Sequence, residues 1–268
     1  TGSLEDPSLA IPRLAIPRPA CAPPTFIVGI GASAGGLESL ENLFRNLPAD
    51  TGMAFVVLQH LSPDFKSMMY ELLGRDTNMA IHRVEEGMQV VANSVYLLPP
   101  KKEMIIVEGR LHLSDKDPQK GLALPIDRFL ESLARESGKR SIAIILSGSG
   151  SDGSRGVAEV AREGGYVIIE SLETAKFDGM PSSALASGVV DEVLAPEEIG
   201  HSLVRLATEP EITRQQRVAI DAQRHDALRG MDAIYHLFRT AHDIDFSVYK
   251  DTTVLRRVHR RLAMIGVD

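Results

Sequence analysis

Two kinds of hydrophobic spacing alternate along residues 26–208. FIVGIG (26–31), MAFVVLQH (53–60), VYLLP (95–99), IAIILSG (142–148) and YVIIES (166–171) are continuous apolar runs, each long enough for a buried strand and too short for a helix. Between them, GLESLENLFRNL (36–47), PIDRFLESLARESG (125–138), GSRGVAEVAREGG (153–165) and EEIGHSLVRLAT (197–208) repeat apolar residues at helical spacing. Pro125 opens the second of these and glycine closes the second and third, which is helix punctuation. MIIVEGRLHLS (104–114) alternates on either side of Glu108-Gly109 and predicts a hairpin. Strands apolar on both faces, alternating with amphipathic helices, need helices on both sides of a mostly parallel sheet. The predicted fold class is therefore α/β: a doubly wound, mostly parallel sheet with helices on both faces, followed by a truncated C-terminal helical segment.

The flanks read differently. Residues 1–24 hold six prolines and repeat AIPR twice, the composition of an extended Pro-rich linker. The α/β domain is expected over 25–206, a polar connector over 207–231, and the start of a helical unit over 232–268. There Leu255, Val258, Leu262 and Ile265 follow 3, 4, 3 spacing and predict one core face. Arg256, Arg257, Arg260 and Arg261 line another, for which a solvated face is the plainer reading and docking on acidic helices the sharper one.

Composition narrows the function classes. A net charge of -7 over 268 residues argues against a protein built to wrap nucleic acid or coat an anionic membrane. The single cysteine, Cys21, excludes an internal disulfide framework and multi-thiolate zinc sites. No apolar run approaches the roughly 20 residues that span a bilayer. A cytoplasmic protein without nucleic-acid partner or membrane insertion is expected. His82, His112, His201, His225, His236, His242 and His259 lack metal-ligand spacing, so no metal is expected.

In an open parallel sheet, chemistry sits outside the carboxyl ends of the strands. After the first strand comes Gly31-Ala32-Ser33-Ala34-Gly35-Gly36, a G-x-S-x-G turn whose small residues let a serine Oγ project while backbone N–H groups point outward. His60 follows the second strand, and Ser149-Gly150-Ser151-Asp152-Gly153 follows IAIILSG. A serine needs a base to take its proton, and the base needs an orienting carboxylate. Ser33 is thus the candidate nucleophile, His60 the base and Asp152 the orienting acid, with the backbone N–H groups of Ala34 and Ser149 as oxyanion donors. The order Ser, His, Asp is not the Ser, Asp, His order of the α/β-hydrolases.

Plainer roles compete. Gly29-x-Gly31-x-x-Ala34 fits the dinucleotide fingerprint, although Gln59-His60 stands where that fingerprint wants an acid for the ribose. Ser33 alone reads as a helix cap, His60 as a structural histidine and Asp152 as a turn residue. Asp178, in Phe-Asp-Gly-Met-Pro, reads as shaping a loop near the site.

FIVGIGASAGGLESLENLF (26–44), FVVLQHLSPDFKSMMYELL (55–73), LPIDRFLESLA (124–134), IAIILSGSGSDGSRGV (142–157) and ETAKFDGMPSSALASGVVDEVLAPEEI (173–199) resemble the catalytic domain of CheB-type protein-glutamate methylesterases of bacterial chemotaxis. The resemblance covers about residues 25–206. It implies a triad at Ser33, His60 and Asp152, and hydrolysis of glutamate γ-methyl esters on cytoplasmic helices of methyl-accepting chemoreceptors, with no cofactor. Glutamine deamidation is a further activity of some relatives. An esterase-like scaffold without turnover is the rival. Two departures stand out: Ser149 occupies the place where the family commonly has an oxyanion-site methionine, and only the Pro-rich stretch precedes Thr25, where relatives with a receiver domain carry it. DAIYHLFRTAHDIDFSVYKDTTVLRRVHRRLAMIGVD (232–268) resembles the start of the helical N-terminal domain of CheR-type receptor methyltransferases. That implies an esterase fused to a methyltransferase, with other domains of a longer protein as partners. The glycine-rich region that would bind S-adenosylmethionine is not in these residues.

Overall fold

The computed structural model describes residues 22–59, 68–115 and 124–208. A seven-stranded parallel sheet forms the centre, in the order β10-β9-β8-β1-β2-β5-β3. Its strands are β1 (Ile27–Ala32), β2 (Ala54–Gln59), β3 (Ala80–Arg83), β5 (Ser94–Leu97), β8 (Ser141–Ile145), β9 (Tyr166–Glu170) and β10 (Glu192–Leu194). Among the described residues, six α-helices accompany them: α1 (Gly36–Arg45), α2 (Met68–Asp76), α3 (Pro125–Ser137), α4 (Ser154–Arg162), α5 (Gly179–Leu185) and α6 (Pro196–Thr208). A three-stranded antiparallel sheet is made by β4 (Met88–Gln89), β7 (Arg110–Asp115) and β6 (Lys102–Val107).

The period of two in a strand explains the two-sided core. In β1, Val28 and Ile30 join a cluster with Leu40, Leu43 and Phe44 of α1 and Leu203 of α6. Phe44 meets Phe55 edge-on at 5.7 Å. The opposite face of the sheet presents Val56, Leu58, Ala143 and Ile145 to Phe129, Leu130 and Leu133 of α3 and to Val157 and Val160 of α4. On that second face β1 carries Gly29 and Gly31. A Cβ on Gly29 would lie 2.7 Å from Leu130 Cδ2, and one on Gly31 2.6 Å from Ile126 Cγ2. These glycines let α3 approach the sheet closely, and side chains already fill the space that the dinucleotide reading reserves for pyrophosphate. That reading is corrected here. Gly31→Ala should cost about 1–3 kcal/mol by overpacking, read as a lower urea midpoint with an unchanged slope.

The hairpin forms where the alternation placed it. Glu108 (φ 50°) and Gly109 (φ 69°) both take left-handed conformations at its turn, as two-residue hairpin loops require. The Glu136 carboxylate accepts both of their N–H groups, at 3.1 and 2.9 Å, which ties the turn to α3. The closing helix α6 spans Pro196–Thr208 and ends where the helical spacing of 197–208 ends. The connector beyond Thr208 and the helical segment over 232–268, with its apolar and arginine faces, lie outside the described residues.

Candidate active site

β1, β2 and β8 are neighbours at the middle of the sheet, so the segments that follow them emerge side by side at its carboxyl edge. After β1 the chain turns through Ser33, Ala34 and Gly35 into α1. Gly35 is the N-cap residue, at φ 75°, and α1 has no side-chain cap. Ser33 is therefore not spent on capping, and its side chain is half-buried. The Ser33 N–H donates to the Ser147 carbonyl at 3.0 Å, and Gly36 N–H to the Ser33 carbonyl at 3.0 Å. Among the described residues, the Ala34 N–H has no acceptor.

The chain leaving β8 passes through Ser147 to Asp152. The turn at Gly148–Gly150 rests on the start of α5: Gly148 N–H donates to Phe177 O at 2.9 Å, Met180 N–H to Gly148 O at 2.8 Å, and Ser183 Oγ to Gly150 O at 3.2 Å. A Cβ on Gly148 would overlap Met180 Sδ and sit 2.9 Å from Ser33 Cβ, so the turns after β1 and β8 interlock. Ser149 is exposed at the outside of this turn, and among the described residues its N–H has no acceptor. Asp178 stands at the N-terminus of α5, where its carbonyl, not its carboxylate, accepts Ser182 N–H at 2.8 Å.

Asp152 is buried, with 6% of its surface exposed. Its two carboxylate oxygens accept the N–H groups of Ile126 (3.1 Å) and Asp127 (2.9 Å), in the first turn of α3. Asp127 returns the arrangement: its Oδ1 accepts Arg155 N–H (3.0 Å) and Gly156 N–H (2.8 Å) in the first turn of α4, and its Oδ2 accepts Arg155 Nε at 3.1 Å. Each helix start is thus satisfied by a carboxylate from the other segment, which covers N–H groups that a helix terminus leaves orphaned. Burial pushes the Asp152 carboxyl up to about 6, against the pull of the donors from Asp127, Ile126 and Gly153. Asp152 is more than the turn residue of the plainer reading.

His60 lies outside the described residues. The strand that leads to it ends at Gln59, which pairs with Ala32 at the end of β1. Of the other histidines, His82 stacks on Tyr96 at 5.2 Å, and His112 Nδ1 lies 2.7 Å from Glu86 Oε1. His201 is exposed on α6; His225, His236, His242 and His259 lie outside the described residues. Sequence reasoning passed over two residues that the structure places at the centre of the edge, Ser147 and Glu170. Both are the first polar residue after an apolar stretch, Ser147 after Leu146 and Glu170 after Ile169, and that break was the available signal.

A doubly wound α/β domain with a serine turn after its central strand and a buried carboxylate after the adjacent one belongs to the class whose chemistry lies at the carboxyl edge of the sheet. The family model for CheB methylesterase matches residues 28–203. The chain belongs to the CheB methylesterase family. It is 37% identical over 214 residues to an uncharacterized 104.1 kDa protein of Rhodobacter capsulatus, covering 73% of this chain and 22% of that protein. It is 33% identical over 187 residues to a protein-glutamate methylesterase/protein-glutamine glutaminase of Desulfitobacterium hafniense, covering 68% of this chain and 47% of that protein. The chain thus spans about half the length, or less, of these curated relatives. The crystal structure of the Thermotoga maritima CheB methylesterase catalytic domain is similar, with a TM-score of 0.63 and 32% identity over 68% of this chain and 98% of that one.

Proposed function

We propose that the chain hydrolyses glutamate γ-methyl esters on the cytoplasmic helices of a methyl-accepting receptor, with Ser33 as nucleophile, His60 as base and Asp152 as the orienting acid. The observation that carries this reading is the interlock of the turns after β1 and β8, with Ser33 Cβ against Gly148 and a buried Asp152 four residues further on. Ser33 Oγ adds to the ester carbonyl carbon while its proton passes to the imidazole. The Ala34 and Ser149 N–H groups hold the oxygen as it becomes an anion. Collapse expels methoxide, which takes the proton from the imidazolium and leaves as methanol. Water then adds to the acyl-serine, gives its proton to the imidazole, and releases a glutamate carboxylate and Ser33. This sequence needs no cofactor. The names of the curated relatives pair the esterase with a glutaminase, and the same acyl-serine formed from a glutamine amide would release ammonia.

The reading extends to a cytoplasmic protein in which the residues after 232 begin a methyltransferase domain, so that one polypeptide both adds and removes receptor methyl groups. Among the described residues, no helix is long and apolar enough to cross a membrane. The test is methanol release from a methylated receptor fragment. Wild type should release one methanol per ester cleaved. No release by folded protein would leave the scaffold reading standing.

A further inference from the structure

Ser147 is fully buried, and every polar group it has is used. Its N–H donates to Glu170 Oε2 at 2.7 Å. Its carbonyl accepts the Ser33 N–H at 3.0 Å. Its hydroxyl lies 3.0 Å from Ala34 O and 3.4 Å from Phe177 O, and accepts Phe177 N–H at 3.0 Å. The hydroxyl has one proton to give, and the shorter distance assigns it to Ala34. A Cβ on Gly35 would come within 2.8 Å of Ser147 Oγ, and one on Gly36 within 3.0 Å of its carbonyl oxygen, so the whole nucleophile turn lies against this one residue. Glu170, the last residue of β9, is 1% exposed and reaches across from the neighbouring strand. Besides the Ser147 N–H it takes hydrogen bonds from Ser39 of α1 and from Thr174 Oγ1, the latter at 3.4 Å. Burial raises its carboxyl above the ordinary glutamate value, a cost that a surface position would avoid.

We infer that Glu170 and Ser147 are positioning residues for Ser33: the Glu170 side chain fixes the Ser147 peptide, and Ser147 fixes the Ser33–Gly36 turn through its carbonyl and hydroxyl. The inference rests on the reading of Ser33 as nucleophile. It gives the buried acid at the end of β9 a role: Ser33 Oγ stands on a turn with two glycines, and the Ser147 carbonyl and hydroxyl hold that turn from the neighbouring strand. A misplacement of about 1 Å at a nucleophile is enough to slow a reaction about a hundredfold.

Acceptor reach and charge can be separated at Glu170. Glu170→Gln keeps an oxygen at the same reach and loses the charge. Glu170→Asp keeps the charge and withdraws the acceptor by one methylene. Ser147→Ala removes the hydroxyl and keeps the carbonyl. Each full-length variant is assayed for kcat and KM on a small methyl ester, for the labelling rate of Ser33 by a fluorophosphonate probe, and for folded fraction by circular dichroism, with activity expressed per folded molecule. Glu170→Asp and Ser147→Ala should lower kcat and the labelling rate together, by about 10- to 100-fold, with KM within about twofold, while Glu170→Gln retains most of both. Wild-type kcat per folded molecule in Glu170→Asp and Ser147→Ala would overturn the inference, as would a Glu170→Gln enzyme slower than Glu170→Asp. If the two disruptive variants do not fold, loss of kcat in folded Glu170→Gln overturns it and retention supports it. Ser33→Ala assayed alongside keeps the underlying reading separate: turnover or labelling that survives in Ser33→Ala defeats the nucleophile assignment itself, whereas a dead Ser33→Ala beside fully active Glu170 and Ser147 variants defeats the positioning role alone.

Discussion

Ser33→Ala should abolish methyl-ester hydrolysis, with a fall in kcat of roughly ten-thousand-fold or more, and should leave the fold intact. The two halves of this expectation come from different atoms. The bonds that place the turn are made by the backbone: Ser33 N–H to Ser147 O, and Gly36 N–H to Ser33 O. Alanine keeps both. The serine hydroxyl does not cap α1, because Gly35 holds the N-cap position with no side-chain cap, so its removal orphans no helix donor. Stability should change by no more than about 0.5 kcal/mol, the usual range for a substitution away from such features. Methanol release and a thermal melt on the same samples check both halves. Turnover in Ser33→Ala near that of wild type would require another nucleophile or direct attack by water.

How much of this could be read from the chain follows from which interactions are local. The strands at the centre, such as Ile142–Ile145 and Val167–Ile169, are buried on both faces and leave unbroken apolar runs, and the amphipathic α1 and α3 carry their period within themselves. The edge strands β3 and β10 do not: Ala80–Arg83 has exposed ends, and Glu192–Leu194 has no buried residue, so neither departs from loop composition. The short α5 starts Gly-Met-Pro and is held by the Gly148–Gly150 turn, a long-range cause that no window of sequence contains. At the carboxyl edge, the turns that carry Ser33 and Asp152 could be picked out because G-x-S-x-G and S-D-G are local patterns. Ser147 and Glu170 could not, because their roles exist only through bonds between residues 23 apart, and, for Ser147 to Ala34, 113 apart. The two glycines of β1 were ambiguous: G-x-G is the same pattern whether the missing side chain admits a phosphate or, as here, a helix.

Asp152→Asn should lower kcat by roughly 10²- to 10⁴-fold, less than the loss of Ser33, because the orienting member is the least essential of such a triad. Its effect on stability should depend on pH, with a sign set by burial. The Asp152 carboxyl stands at about 6 in the folded protein against 3.8 for an unburied one, so the folded state holds the proton more tightly than the unfolded. The stabilisation is fully present below pH 3.8 and is lost as pH rises through about 6. At 1.36 kcal/mol per pKa unit the difference amounts to roughly 3 kcal/mol. Asparagine cannot titrate, so the stability of Asp152→Asn relative to wild type should improve by about that amount between pH 4 and pH 7. The variant starts from a deficit, since both oxygens of Asp152 accept N–H groups from α3 and an amide offers one acceptor, at a cost of about 1–3 kcal/mol. Urea midpoints for the two proteins across this range give the difference directly. Parallel curves would mean that the folded protein ionises Asp152 at no cost. Asp127→Ala separates the helix-start role from catalysis: it removes the acceptors of Arg155 N–H, Gly156 N–H and Arg155 Nε and should destabilise by about 1–3 kcal/mol. Its kcat per folded molecule should stay within about tenfold of wild type. A loss as deep as that of Asp152→Asn would show that the carboxylate at 152 matters for holding α3 and α4 together, and would remove it from the triad.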